Sequence, residues 1–149
     1  MIQIRGVPAD VHRVLKSRAA LEGLSLSEDV GGGARGRPVG ELLVSGREVW
    51  CPHLVDAEVG QALRRAVLRQ EMGSDRALIA LDVLADLPLH RALHRPLART
   101  AWSLRNHVSY YDALYVALAA ALDAPLLTLD ARLAAVPGLP AVVEVLASP

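Results

Sequence analysis

The feature that most constrains this chain is the run over residues 109–132, Ser-Tyr-Tyr-Asp-Ala-Leu-Tyr-Val-Ala-Leu-Ala-Ala-Ala-Leu-Asp-Ala-Pro-Leu-Leu-Thr-Leu-Asp-Ala-Arg. Ser109 followed three residues later by Asp112 is a helix N-cap pattern, and an alanine-rich apolar run comes after it. Residues 113–122 have the length and propensity of a buried helix. Pro125 cannot continue that helix, and Leu126-Leu127-Thr128-Leu129 reads as a short strand buried on both faces. Asp130 stands where the strand ends, and Asp123 ends the helix. One carboxylate therefore opens a helix and another closes the next strand. In open α/β sheets, sites form at the carboxyl ends of strands, and clustered carboxylates there suit a hard cation such as Mg²⁺. The residues alone leave two readings open: a metal site, or a cap and a turn residue with no further role.

The wording of the segment resembles the last catalytic segment of PIN-domain ribonucleases, above all the VapC-type toxins of bacterial toxin-antitoxin pairs. Their Thr/Ser-x-Tyr-Asp-Ala-x-Tyr helix is matched by residues 109–115, and their Pro-Leu-x-Thr-x-Asp strand by residues 125–130. Upstream, His53-Leu54-Val55-Asp56-Ala57-Glu58-Val59 resembles the second acidic motif of the same family, with Glu58 as the carboxylate carried over. Asp56 lies two residues away on a helix and faces elsewhere, as a solvated side chain or as a first-turn charge. Residues 95–106 also follow the family's text, with Trp102 expected in the core.

The resemblance implies an α/β fold, a PIN-like parallel sheet flanked by helices. It also implies a Mg²⁺- or Mn²⁺-dependent endoribonuclease acting on RNA phosphodiesters. Glu58, Asp112 and Asp130 would hold the ion, and Ser109 would orient a carboxylate or a bound water. A cognate antitoxin and a homodimer are implied as partners.

Between the motifs, short apolar strands alternate with helices, the pattern of a parallel sheet covered by helices. Residues 38–44 predict a short helix. Glu48-Val49-Trp50-Cys51 predicts a strand ended by Pro52, and residues 53–69 a long helix. Ser74 opens another helix, with Leu78, Leu81, Leu84 and Ala85 facing inward. Pro96 starts a third that runs to Arg105, and residues 141–146 form a last strand. Arg64 and Arg65 are candidates for RNA phosphate contacts, or for a solvated helix face. The five histidines lack zinc-ligand spacing and read as surface or capping residues.

The N-terminus carries different text. Residues 2–5 alternate Ile-Gln-Ile-Arg as a strand, and Pro8 starts a helix with Val11, Val14, Leu15 and Leu21 as its apolar stripe. Residues 1–12, Met-Ile-Gln-Ile-Arg-Gly-Val-Pro-Ala-Asp-Val-His, resemble the opening of ribbon-helix-helix antitoxins of the VapB/FitA type. In that family Gln3 and Arg5 would read bases of operator DNA. Gly31 to Gly36 is the natural boundary, giving an antitoxin-like strand-helix appendage over 1–30 and a PIN-like domain over 31–149. The opening PIN strand, which normally ends in the first metal-ligating Asp, has no counterpart. It is missing, or replaced by another segment such as residues 2–5. The chain reads as two neighbouring frames joined across a deletion, or as an artefact of frame assignment. Activity is then expected to be reduced, and the alternative is a crippled fusion that acts as a protein- or DNA-binding module.

Composition sets the remaining bounds. With 149 residues, 52% of them apolar, the chain is globular and long enough for one ordinary core or for one domain plus a small appendage. No uncharged apolar run is long enough to span a membrane, the start lacks a signal pattern, and Cys51 is the single cysteine. A cytoplasmic location follows as the expectation. The net charge is zero, Lys16 is the lone lysine among many arginines, and Phe is absent with aromatics few, so neither a broad basic field nor a base-stacking surface is expected.

Overall fold

A computed structural model describes the backbone of residues 12–15 and all of residues 48–146. The strands are β1 (His12–Leu15), β2 (Glu48–Pro52), β3 (Leu89–Ala92), β4 (Leu126–Thr128) and β5 (Val143–Val145). They form one sheet in the order β3-β2-β1-β4-β5, with every neighbouring pair parallel. The helices are α1 (Leu54–Leu68), α2 (Ser74–Asp86), α3 (His94–Ser103), α4 (Tyr110–Leu122) and the short α5 (Ala131–Ala134). This is the α/β architecture expected of a PIN domain.

The centre of the sheet corrects the sequence reading. Residues 12–15 were expected in a helix starting at Pro8, yet they form the central strand. Val14 sits opposite Trp50 on one side and Leu126 on the other. A short apolar run carries no periodicity that separates helix from strand. A central place in a parallel sheet offers ladder hydrogen bonds on both edges, and that non-local gain decides the outcome. Residues 2–5, the glycine boundary and the helix over 38–44 lie outside the described residues.

α4 is the organising helix, as its sequence suggests. Residues 113–119 are all buried, and the helix packs on β1, β2 and β4 and against α3. Its alanines let neighbouring backbones approach closely, while Tyr115, Leu118 and Val116 fill the space between elements. The Ser109 hydroxyl caps it by accepting from the Asp112 N–H at 3.1 Å. Asp123 ends it in the left-handed region at φ 50°, a conformation that Asp tolerates better than most residues.

Three further expectations change. α2 buries Ala77 and Leu84, whereas Leu78 and Leu81 are 59% and 37% exposed and Ala85 is also exposed. Ala80, Val83 and Leu87 pack on the core instead, so the inward stripe is 77-80-84-87, one residue off the expected face. Trp102, expected in the core, is 62% exposed and lies under the Arg105 guanidinium at 5.6 Å. Asp56 is not simply solvated: both of its oxygens accept from Arg91 Nε at 3.0 Å.

That pair stitches elements together. Arg91 Nη2 also donates to the Leu84 carbonyl at 2.8 Å, so β3 is tied both to the first turn of α1 and to the last turn of α2. β3 was not foreseen from sequence. It is an edge strand, and its central residues His90 and Arg91 are polar, as an edge tolerates. His90 stacks on Trp50, its register partner, with centroids 4.7 Å apart. Beneath them Cys51 is fully buried, and burial pushes its thiol pKa up to about 12.

Candidate active site

In an all-parallel sheet the strand carboxyl ends share one edge, and Glu58, Asp112 and Asp130 are placed along it by the elements that carry them. α1 begins directly after β2, which puts Glu58 just past the first turn above that edge. A crossover helix runs antiparallel to its strands, so α4, which leads into β4, starts at the same edge with Asp112 in its first turn. Asp130 stands two residues past the end of β4 and caps α5.

Each carboxylate is held by a specific partner. The Tyr115 hydroxyl, on a fully buried ring, donates to Glu58 Oε2 at 2.7 Å. Asp112 Oδ2 accepts from the Ser109 hydroxyl at 2.8 Å, so Ser109 and Asp112 each satisfy the other at the helix start. The Thr128 hydroxyl, 1% exposed, accepts from the Asp130 N–H at 3.0 Å, which explains the threonine two residues before the acid. Asp130 Oδ1 caps the Arg132 N–H at 3.0 Å, and the Arg132 guanidinium closes on the carboxylate from Nε at 3.1 Å and Nη2 at 3.3 Å. The hydrogen bonds that Arg132 donates to Asp130, then the Asp130 charge, raise the Arg132 pKa above its ordinary value. The Asp112 charge adds to this, which places Asp112 within electrostatic reach of the same guanidinium.

The three expected ligands therefore share an edge without closing into one metal site. Their oxygen chemistry suits a hard cation. Among the described residues, however, no group of three or more His, Cys, Asp or Glu side chains could hold a metal ion. A guanidinium is paired with Asp130 where a cation would be expected. β1 ends at Leu15 and Lys16 follows, so no acid stands directly at the end of this strand. The described residues in this arrangement do not by themselves make a divalent-ion site. What they offer is two half-buried carboxylates, Glu58 and Asp112, each fixed by one hydroxyl donor and able to accept a proton.

Of the two arginines singled out from sequence, Arg65 lines a cavity of about 450 Å³ beside Glu58, and Arg64 lies on the exposed face outside it. Gln3 and Arg5 lie outside the described residues. The sequence reading missed four contributors, Tyr115, Arg132, Gln61 and Tyr111. Tyr115 had a usable signal, since a tyrosine inside a buried alanine-rich helix needs a partner for its hydroxyl. His94 proves to be a capping residue, with its Nε2 accepting from the Leu54 N–H at 2.9 Å at the start of α1.

A parallel sheet flanked by helices, with acids along its carboxyl edge, defines an α/β domain with a candidate site at that edge, and comparison with known proteins gives the family. The PIN domain family matches residues 25–139, and the chain belongs to it. It is 61% identical over 90 residues to Ribonuclease VapC1 of Mycobacterium tuberculosis, a match covering 60% of this chain and 68% of that protein. It is 36% identical over 134 residues to Ribonuclease VapC12 of the same organism, covering 90% of this chain and 98% of that one. The fold superposes on a crystal structure of VapBC2 from Rickettsia felis bound to a DNA fragment from its promoter. The TM-score is 0.65 at 15% identity, over 90% of this chain and 98% of the other.

Proposed function

We propose that this chain is an endoribonuclease of the toxin-antitoxin kind that cleaves RNA phosphodiesters, with activity reduced by the missing first carboxylate. The observation that carries the reading is the pairing of Glu58 with Tyr115 beside the Ser109–Asp112 cap. Two oriented carboxylates stand at the sheet edge where this architecture places its chemistry. A carboxylate held by a hydroxyl donor can take the proton from an attacking water or hydroxyl group as the new P–O bond forms, and a proton from solvent or from a protonated carboxyl goes to the leaving sugar oxygen as the old P–O bond breaks. Identity to two VapC ribonucleases supports the same reading.

An Mg²⁺ or Mn²⁺ cofactor belongs to this proposal only together with a rearrangement in which Asp130 releases Arg132. A cognate antitoxin, a homodimer and a cytoplasmic location are proposed with it. The testing experiment is cleavage of a structured RNA by the purified chain with and without added Mg²⁺. No cleavage under either condition overturns the reading.

A second reading draws on the Arg132–Asp130 pair. With Asp130 neutralised and no three-acid group among the described residues, the chain would keep the fold and bind an antitoxin, or operator DNA through Gln3 and Arg5, without cleaving. Salt-dependent operator binding that disappears in Arg5→Ala supports this alternative.

A further inference from the structure

The cavity beside Glu58 is built from a single stripe of α1 and one residue of α4. Leu54, Ala57, Glu58, Gln61 and Arg65 follow helical spacing along α1, and Tyr111 from the first turn of α4 faces them. Its volume, about 450 Å³, falls in the range of roughly 300–1,000 Å³ typical of small-ligand sites. The lining divides by chemistry. Leu54 and Ala57 are apolar, Gln61 offers an amide donor and acceptor, and Arg65 is an exposed guanidinium. Tyr111 presents a ring that is 62% exposed. Glu58 is held in place by Tyr115, so the cavity has a fixed acid on one wall.

From this we propose that the cavity seats one unpaired nucleotide of the RNA: the base stacks on Tyr111, Gln61 reads its edge, and Arg65 holds a neighbouring phosphate. The inference rests on the ribonuclease reading and deepens it, because the seated nucleotide would flank the phosphodiester presented to Glu58. An exposed aromatic ring beside an amide and a guanidinium matches how unpaired RNA bases are recognised. A duplex hides the base faces that Tyr111 would stack on, so the site selects loops and single strands. Base preference next to the cleaved bond would then be set by Gln61.

The test uses the full chain in an Asp112→Asn background, titrated with a fluorescein-labelled single-stranded RNA 8-mer of mixed sequence and with a matched RNA duplex. Tyr111→Ala is expected to weaken single-strand binding about fivefold or more, the equivalent of one stacked base, while Tyr111→Phe retains it. Arg65→Ala is expected to lower the salt slope by about one unit. Gln61→Ala is expected to change the order of preference among homopolymer 8-mers. Tyr111, Gln61 and Arg65 are exposed, so melting temperatures should match the parent and exclude misfolding. If the parent binds RNA and these variants bind it equally well, the nucleotide seat is overturned and the ribonuclease reading stands. If the variants spare RNA binding but lose an octa-arginine peptide, the cavity docks protein and the seat is again overturned. If the parent binds no RNA, both fail together.

Discussion

The Tyr115 hydroxyl reaches across from α4 to Glu58 Oε2 on α1 at 2.7 Å. This contact joins α4, the most buried helix among the described residues, to a candidate catalytic acid, and it sets the orientation of that acid. Replacing Tyr115 by Phe keeps the packing and removes only the donor. The expected cost in stability is about 0.5–1.5 kcal/mol by urea denaturation, and RNA cleavage is expected to fall by up to about 100-fold, the scale for a catalytic group that loses its position. Unchanged cleavage in a folded Tyr115→Phe variant would show that Glu58 needs no such support.

The Arg91 guanidinium provides a separate test of the scaffold. It is largely buried, with 19% of its side chain exposed, and serves both Asp56 and the Leu84 carbonyl. Arg91→Ala strands a helix-end carbonyl and a carboxylate, and is expected to cost about 1.5–3 kcal/mol, the range for hydrogen bonds to charged groups. Asp56→Asn keeps one acceptor and is expected to cost less. Equal stability of Arg91→Ala and the parent would mean that solvent replaces both contacts.

Cys51 yields a prediction in pH. Burial raises its pKa to about 12, with the Arg91 charge opposing and the Asp56 charge adding. The folded protein therefore binds the thiol proton more tightly than the unfolded chain, whose cysteine titrates near ~8.5. Stability from this group is fully present below that value and declines as pH rises toward 12. At pH 8 the thiol is expected to resist Ellman's reagent until the protein unfolds, so labelling should follow the unfolding curve. Rapid labelling of native protein would contradict the burial of Cys51 behind β3.

Gly60 offers a gain. It lies inside α1, and a Cβ built there meets nothing within 4 Å. Gly60→Ala is expected to stabilise the fold by about 0.4–1 kcal/mol by restricting the unfolded chain. A loss of stability in the urea midpoint would contradict the open space around it.

Much of this arrangement is legible in the sequence where causes are local. Ser109, Asp112, Pro125 and Asp130 mark their own boundaries through caps and breakers, and the structure places the ends of α4 and β4 within a residue or so. β1 was misread because the fate of four residues depends on partners at Trp50 and Leu126, far along the chain. The face of α2 was misjudged because periodicity announces a stripe without saying which neighbour it meets. Arg91 and Tyr115 escaped notice because their partners are 35 and 57 residues away. Arg132 is only two residues from Asp130, but an Asp-x-Arg pair in sequence does not say that the side chains close on each other.

The most direct measurement is the rate at which the purified chain cleaves a structured RNA, compared with Asp112→Asn at the same folded concentration. Asp112→Asn is expected to slow cleavage at least about 100-fold, the scale of a lost proton acceptor, with its melting curve little changed. Equal rates for the two proteins would contradict the assignment of the sheet-edge carboxylates as the catalytic centre.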